Sequence, residues 1–440
     1  MPHAQPPLPP AEYTRRVERV EASLAAPGAP YAVVVTEQGV PEYADGPRTL
    51  REFVETTWAH GDAPFLTGGE RTCSYGEFFA AASALAVLLR ERYGLRSGDR
   101  AVVATRNRPE WQIAFWAAQL AGLVAVPADV RWTDGEFARV LDDCGPAVLL
   151  VDGERLGRID GWARRTGVRV VLFRGSEGAG EGAPGLRIER YEEFPAPDPS
   201  AAPPDVEPRP EDDAAILYTA DGSGRLRGAV ATHLALAGAA TGSRYHAAVA
   251  ALVRGVFPGQ GPAPVIRLTL PFSHPAAFSE VYAAMAVGAA LVLPDEPTDE
   301  PTDGPAEEAG AGRSRGGYGL AETSGTVLLP PGGDHGDRND QGDRSDRSDR
   351  GDQGDCGDQG DDPGLTGRPA PATEVRIAGP SGEALPDGVA GELWLRGQSL
   401  FRGYWRDPAA TEAAFGDGGW FRTGERAVLR EGWVSVLTGA

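Results

Sequence analysis

The chain has 440 residues, 41% of them hydrophobic and 8% aromatic, with a formal charge of −21. That length holds two to three domains and a large core, and the acidic balance argues against a nucleic-acid partner or an anionic membrane surface, both of which need a basic footprint. All 42 basic residues are arginine, so any step that needs a lysine amine or ammonium is excluded for this chain acting alone.

Cys73, Cys144 and Cys356 stand in unrelated contexts without C-x-x-C pairing, so neither a disulfide framework nor a zinc site is expected, and the setting reads as a reducing cytoplasm. The opening MPHAQPPLPPAEYTRR lacks an apolar signal core, and no run of about 18 apolar residues suggests a membrane span.

Residues 1–45 read as a Pro- and Ala-rich lead with one helical candidate, Glu12 to Leu24. Leu50, Phe53, Val54 and Trp58 have helical spacing, and Ser74 with Glu77 forms a capping-box signature for a second helix. Strands are expected at Ala101–Ala104, Leu123–Pro127, Ala147–Val151 and Val168–Phe173, with helices at Trp111–Leu120 and Asp134–Leu141 between them. This alternation indicates βαβ units and a mainly parallel sheet.

Ala214 to Ala231, AAILYTADGSGRLRGAVA, reads as an apolar strand, a glycine-hydroxyl loop and a following helix. Such a loop is either a phosphate cradle, with glycines allowing close approach and a helix dipole behind them, or a plain surface turn. Neither G-x-x-x-x-G-K-[ST] nor G-x-G-x-x-G spacing is present. A strand is expected at Leu268–Pro271, a helix at Phe278–Gly288 and another strand at Ala289–Leu293.

Beyond Leu293 the pattern fails. Residues 294–317, with EPTDEPTD, read as a linker, and in 333–363 Asp recurs at every third residue. Collagen-like and calcium β-roll readings lack the required Gly and aliphatic patterns, so a disordered acidic polyampholyte is expected. Val375–Ala378, Glu392–Arg396 and Trp433–Leu437 then read as strands of a small, mostly antiparallel module over 364–440.

Several segments together resemble the adenylate-forming superfamily, and acyl-CoA synthetases most closely. They are SYGEF at Ser74, NRPEWQIAFWAAQLAGLVAVP at Asn107, Thr219 to Gly228, LPFSH ending at His274, YGLAET at Tyr318, GEL at Gly391 through GYW at Gly403, and WFRTGE at Trp420. The resemblance implies an α/β fold like that superfamily's N-terminal domain: a first α/β subdomain over 46–200, a partial second one over 211–293 carrying the phosphate loop, and a remnant of the adenine and magnesium motif over 318–332. It also implies ATP and Mg²⁺ as cofactors, formation of an acyl adenylate from a carboxylic, fatty-type acid, and transfer to coenzyme A or a carrier thiol.

By position, Thr219, Ser223, Gly224, Arg227 and Gly228 would face the phosphates, Tyr318 would stack on adenine, Thr323 would adjoin it, Glu322 would hold Mg²⁺ and Glu425 would bind the ribose. His274 would sit near the acyl pocket, the alternative being a hydrogen-bonded core histidine. For Tyr318 and Trp420 the alternative is ordinary packing.

Departures from the family pattern point to impaired activity. Ala220 replaces a serine, Asp221 puts a carboxylate where the family has glycine, Arg227 replaces a lysine, and Glu425 is one methylene longer than the family's aspartate. The family's C-terminal domain with its catalytic lysine is expected to be missing after Ala440. Alternative readings are a non-catalytic protein that binds a nucleotide or partner, and an unstable product of a decaying gene.

Overall fold

The computed structural model describes residues 10–68, 71–129, 131–174, 186–200, 202–220, 224–257, 263–268, 270–293, 313–314, 317–329 and 366–437. Its centre is an eight-stranded sheet in the order Gly403–Tyr404, Leu226–Thr232, Asp213–Ala220, Val124–Pro127, Arg100–Ala104, Val148–Asp152, Arg169–Phe173 and Arg187–Arg190. The last six strands run parallel, while Leu226–Thr232 is antiparallel to both of its neighbours.

The middle strands are continuous apolar runs because both faces are covered. Ala101, Val103, Val148 and Leu150 face a core with Phe78, Phe115 and Trp116. Val102, Ala104, Leu149 and Val151 face a second core with Phe137, Ile159 and Trp162. The capping box holds: Glu77 N donates to Ser74 Oγ at 3.2 Å and Ser74 N to Glu77 Oε2 at 2.8 Å, opening the helix Tyr75–Val87.

A second sheet joins Pro64–Gly68 and Arg71–Ser74 to Ala290–Val292 and Val265–Arg267. The strand expected at Leu268–Pro271 therefore lies earlier, at Val265–Arg267. The chain beyond it is irregular, and Asn107 serves its backbone instead, donating to Leu270 O at 2.7 Å and accepting from Phe272 N at 2.8 Å. The helix Pro275–Val287 follows and stops at Gly288 with φ +68.

Three small antiparallel sheets follow, one of them the two-stranded pair Val33–Val35 and Pro41–Tyr43; the other two are larger. One contains Arg313–Ser314, Gly317–Leu320, Gly325–Leu329 and Arg368–Pro369; the other contains Thr373–Ala378, Gly391–Gly397, Phe415–Gly416, Trp420–Arg430 and Trp433–Val436. Most of the expected linker and the whole Asp repeat lie outside the described residues. Among the elements not anticipated from sequence are the helix Gly153–Thr166, capped by Asp152 and ended by Gly167 at φ +65, and the edge strand Arg187–Arg190. Among the described residues no helix is long and apolar enough to cross a membrane.

Candidate functional site

The Thr219–Gly228 loop is the turn of a β-hairpin. Tyr218 pairs with Gly228, Thr219 with Arg227 and Ala220 with Leu226. The helix expected directly after the loop starts only at His233, where Thr232 Oγ1 accepts Ala235 N at 3.1 Å. The seven-residue strand Leu226–Thr232 intervenes, a separation of roughly 20 Å at the usual strand rise. The helix dipole, which fades within a turn, does not reach the loop. Asp221, Gly222 and Ser223 lie outside the described residues.

Gly224 has φ +76, and no group among the described residues lies within 4 Å of where a Cβ would stand. Gly228 is held by packing: an added Cβ would lie 2.5 Å from Ile216 Cγ2 and 3.1 Å from Tyr218 Cζ. Its carbonyl accepts from Trp405 N at 2.7 Å.

Gly403–Tyr404 pairs with the hairpin's outer strand and brings the second half of the site with it. The Tyr404 hydroxyl donates to Glu322 Oε1 at 2.8 Å. Glu322 is only 6% exposed, and burial raises its carboxyl above the usual carboxylate range, with the Tyr404 hydrogen bond opposing the shift. Arg227 stands with its guanidinium carbon 5.8 Å from the Tyr404 ring centre and its Nε 3.7 Å from Asp407 Oδ2. Asp407 Oδ1 meanwhile caps the helix Pro408–Ala414 by accepting from Ala410 N at 3.0 Å.

Thr323 is fully buried, and its hydroxyl closes the local turn, accepting from Leu320 N at 2.8 Å and lying 2.7 Å from Gly325 O. Tyr318 has no exposed surface and packs among Val327, Leu328, Leu393 and Val434. Its phenol is turned toward Glu425 and Thr423; burial first, then the Glu425 carboxylate, pushes it well above the ordinary tyrosine range. Glu425 is half-buried, with its backbone N–H donating to Thr423 Oγ1 at 3.1 Å.

His274 stands apart from this cluster. Its Nδ1 accepts from Ala276 N at 3.2 Å at the start of the Pro275–Val287 helix. Burial lowers its pKa, the nearby Arg131 lowers it further, and Asp129 opposes. Asp129 and Arg131 are themselves paired at 2.7 Å.

The structure thus brings the strands that carry Thr219, Arg227 and Gly228 against the Ala321–Thr323 turn, with Tyr318 buried beside the half-buried Glu425. Tyr404 and Asp407 were not assigned roles from sequence, although Gly403-Tyr404-Trp405 was visible as a motif. A stacked adenine does not fit Tyr318 in this arrangement, because neither ring face is open. Glu322 does not fit an accessible magnesium ligand, since a hard cation needs an ionised, reachable oxygen. Among the described residues no group of three or more His, Cys, Asp or Glu side chains is placed to hold a metal.

The chain is similar in sequence and fold to known proteins. The profile of the AMP-binding enzyme family matches residues 53–309 and 305–405. A 4-coumarate–CoA ligase-like protein of rice, Oryza sativa, is 24% identical over 81% of this chain and 68% of its own length. A second rice protein of that description matches over 65% of its length, so the chain spans about two thirds of these relatives. A feruloyl-CoA synthase from Amycolatopsis is 26% identical over 84% of this chain and 74% of its own length.

Among solved structures, a long-chain-fatty-acid CoA ligase from Rhodopseudomonas palustris superposes with a TM-score of 0.65 at 21% identity, covering 89% of this chain and 99% of that one. The N-terminal domain of FACL13 from Mycobacterium tuberculosis gives 0.64 at 20% identity, with 89% and 100% covered. These structures share the α/β fold of the adenylate-forming N-terminal domain, and the chain belongs to the AMP-binding enzyme family.

Proposed function

We propose that this chain is an acyl-CoA-ligase-like AMP-binding protein in which activation of a carboxylic acid is impaired. In this reading Thr219, Ser223, Gly224, Arg227 and Gly228 form the phosphate-facing hairpin. Tyr318, Thr323 and Glu425 belong to the adenosine side, Glu322 to the magnesium side, and His274 to the acid. ATP would supply the adenylyl group, the acid's carboxylate displacing pyrophosphate to give an acyl adenylate, and coenzyme A or a carrier thiol would then take the acyl group with release of AMP. Names among the relatives run from 4-coumarate and ferulate to long-chain fatty acids, so the acid class stays at a fatty or aryl carboxylate. The unpaired cysteine pattern supports a cytoplasmic setting.

The observation that carries impairment is the state of Glu322: a carboxyl 6% exposed, hydrogen-bonded by Tyr404 and raised by burial. A group in that state is a poor partner for a cation that dehydrates reluctantly. Arg227, engaged by Asp407, adds a second occupied contact, with a planar fork where the resemblance implies a compact ammonium.

Calorimetric titration of the full chain with ATP, in excess Mg²⁺ and then in excess chelator, tests this reading. Dissociation constants within about twofold of each other are expected. A magnesium-dependent gain of tenfold or more would contradict it. In Tyr404→Phe, which removes the hydrogen bond that opposes the shift and leaves Glu322 buried, magnesium dependence is expected to stay absent.

A further inference from the structure

The outward face of the C-terminal sheet holds a cleft that the nucleotide reading leaves unused. Register places Arg376 opposite Trp394, Trp394 opposite Arg422, and Glu392 opposite Arg426. The alternation of the Trp420–Arg430 strand sends Arg422 and Arg426 to the face opposite Thr423 and Glu425. At one end of this row the loop after Ala378 borders a solvent-open cleft of about 480 Å³ between Pro380, Leu385, Glu392, Trp394, Arg422 and Arg426. That volume lies in the range of small-molecule sites.

The walls divide into an apolar body and a charged mouth. Trp394 is 7% exposed and wedged between glycines: a Cβ on Gly382 or on Gly416 would stand 2.8 Å from its ring. At the mouth, Glu392 is already engaged, accepting from Gly424 N at 3.2 Å and facing Arg422 at 3.7 Å. Arg422 lies 5.6 Å from the Trp394 ring centre. Arg426 is exposed and has no ion-pair partner among the described residues. On a molecule of formal charge −21, a concave, partly apolar site with an uncompensated guanidinium is a selective spot for an anion.

The geometry points to a binding site for a small organic anion, its planar or apolar body against Trp394 and Leu385 and its carboxylate between Arg422 and Arg426. No residue of the hairpin or of the Glu322 turn takes part in it, so the inference stands independently of the nucleotide reading.

The test is calorimetric titration of the full chain with 4-hydroxybenzoate, its neutral analogue 4-hydroxybenzyl alcohol, and inorganic phosphate. Binding of the carboxylate is expected, with the alcohol and phosphate each at least about tenfold weaker, since one lacks the charge and the other the body. Arg426→Gln, a change at an exposed position that leaves the fold intact, is expected to weaken the carboxylate about tenfold, and His274→Ala to leave it unchanged. No carboxylate binding, phosphate binding alone, an affinity unaltered in Arg426→Gln, or a loss in His274→Ala would each overturn the assignment. The last outcome would place the anion at the other site.

Discussion

Gly228 marks how tightly the hairpin is packed against what surrounds it. A methyl there would meet Ile216 at 2.5 Å and Trp405 Cβ at 3.3 Å, so Gly228→Ala is expected to cost about 1–3 kcal/mol in denaturant unfolding; an unchanged midpoint would contradict the packing. From sequence this glycine was expected to serve close approach to a phosphate, but the nearest atoms belong to the protein itself. His233 gives a pH signature. It is 1% exposed, its Nδ1 accepts Leu50 N–H at 3.4 Å, and burial pushes its pKa down to about 4, with Asp212 opposing. Because the folded pKa lies below the unfolded value, the unfolded chain takes up the proton first. This contribution is full above about pH 6.5 and is lost as pH falls toward 4, by about 3 kcal/mol in all. Melting temperature against pH checks it: His233→Gln should flatten the fall over that interval, and a variant curve parallel to the wild type would refute the assignment.

Secondary elements were legible where local chemistry decides them. The Ser74 box is one such case, and Ser74→Ala is expected to destabilise by about 1 kcal/mol through the lost acceptor for Glu77 N, read from the urea midpoint. The segment after the phosphate loop was less legible. Gly228 to Ala231 are small and apolar, which suits a helix as well as a strand flanked on both sides, and only the pairing with Asp213–Ala220 and Gly403–Tyr404 makes it a strand. The strand expected at Leu268–Pro271 was displaced for a related reason, since Asn107, far away in sequence, satisfies that backbone. The same limit applies to the site. Motif residues marked Thr219, Glu322 and Tyr318, but the contact that governs Glu322 comes from Tyr404, 82 positions away, and sheet register at that distance cannot be read from one chain's local pattern.

At the scale of the molecule, two sheets tie together segments that the sequence presents separately. Strands from 64–74 pair with strands from 265–292, and the parallel core from 100–190 continues through 213–232 to Gly403–Tyr404. The hairpin of Asp213–Ala220 and Leu226–Thr232 is therefore fixed between the parallel sheet and Gly403–Tyr404, and the motif residues are drawn together even as Tyr404 binds Glu322 and Arg227 pairs with Asp407. In the proposed function this arrangement keeps the AMP-binding fold while impairing acid activation. ATP–pyrophosphate exchange by the full chain, with Mg²⁺ and a panel of aryl and fatty acids, tests it most directly. Acid-dependent exchange at least several-hundredfold below the roughly 10 s⁻¹ of a typical enzyme is expected, because Glu322 is buried against Tyr404 and Arg227 is engaged by Asp407; exchange near 10 s⁻¹ with any acid in the panel would contradict it.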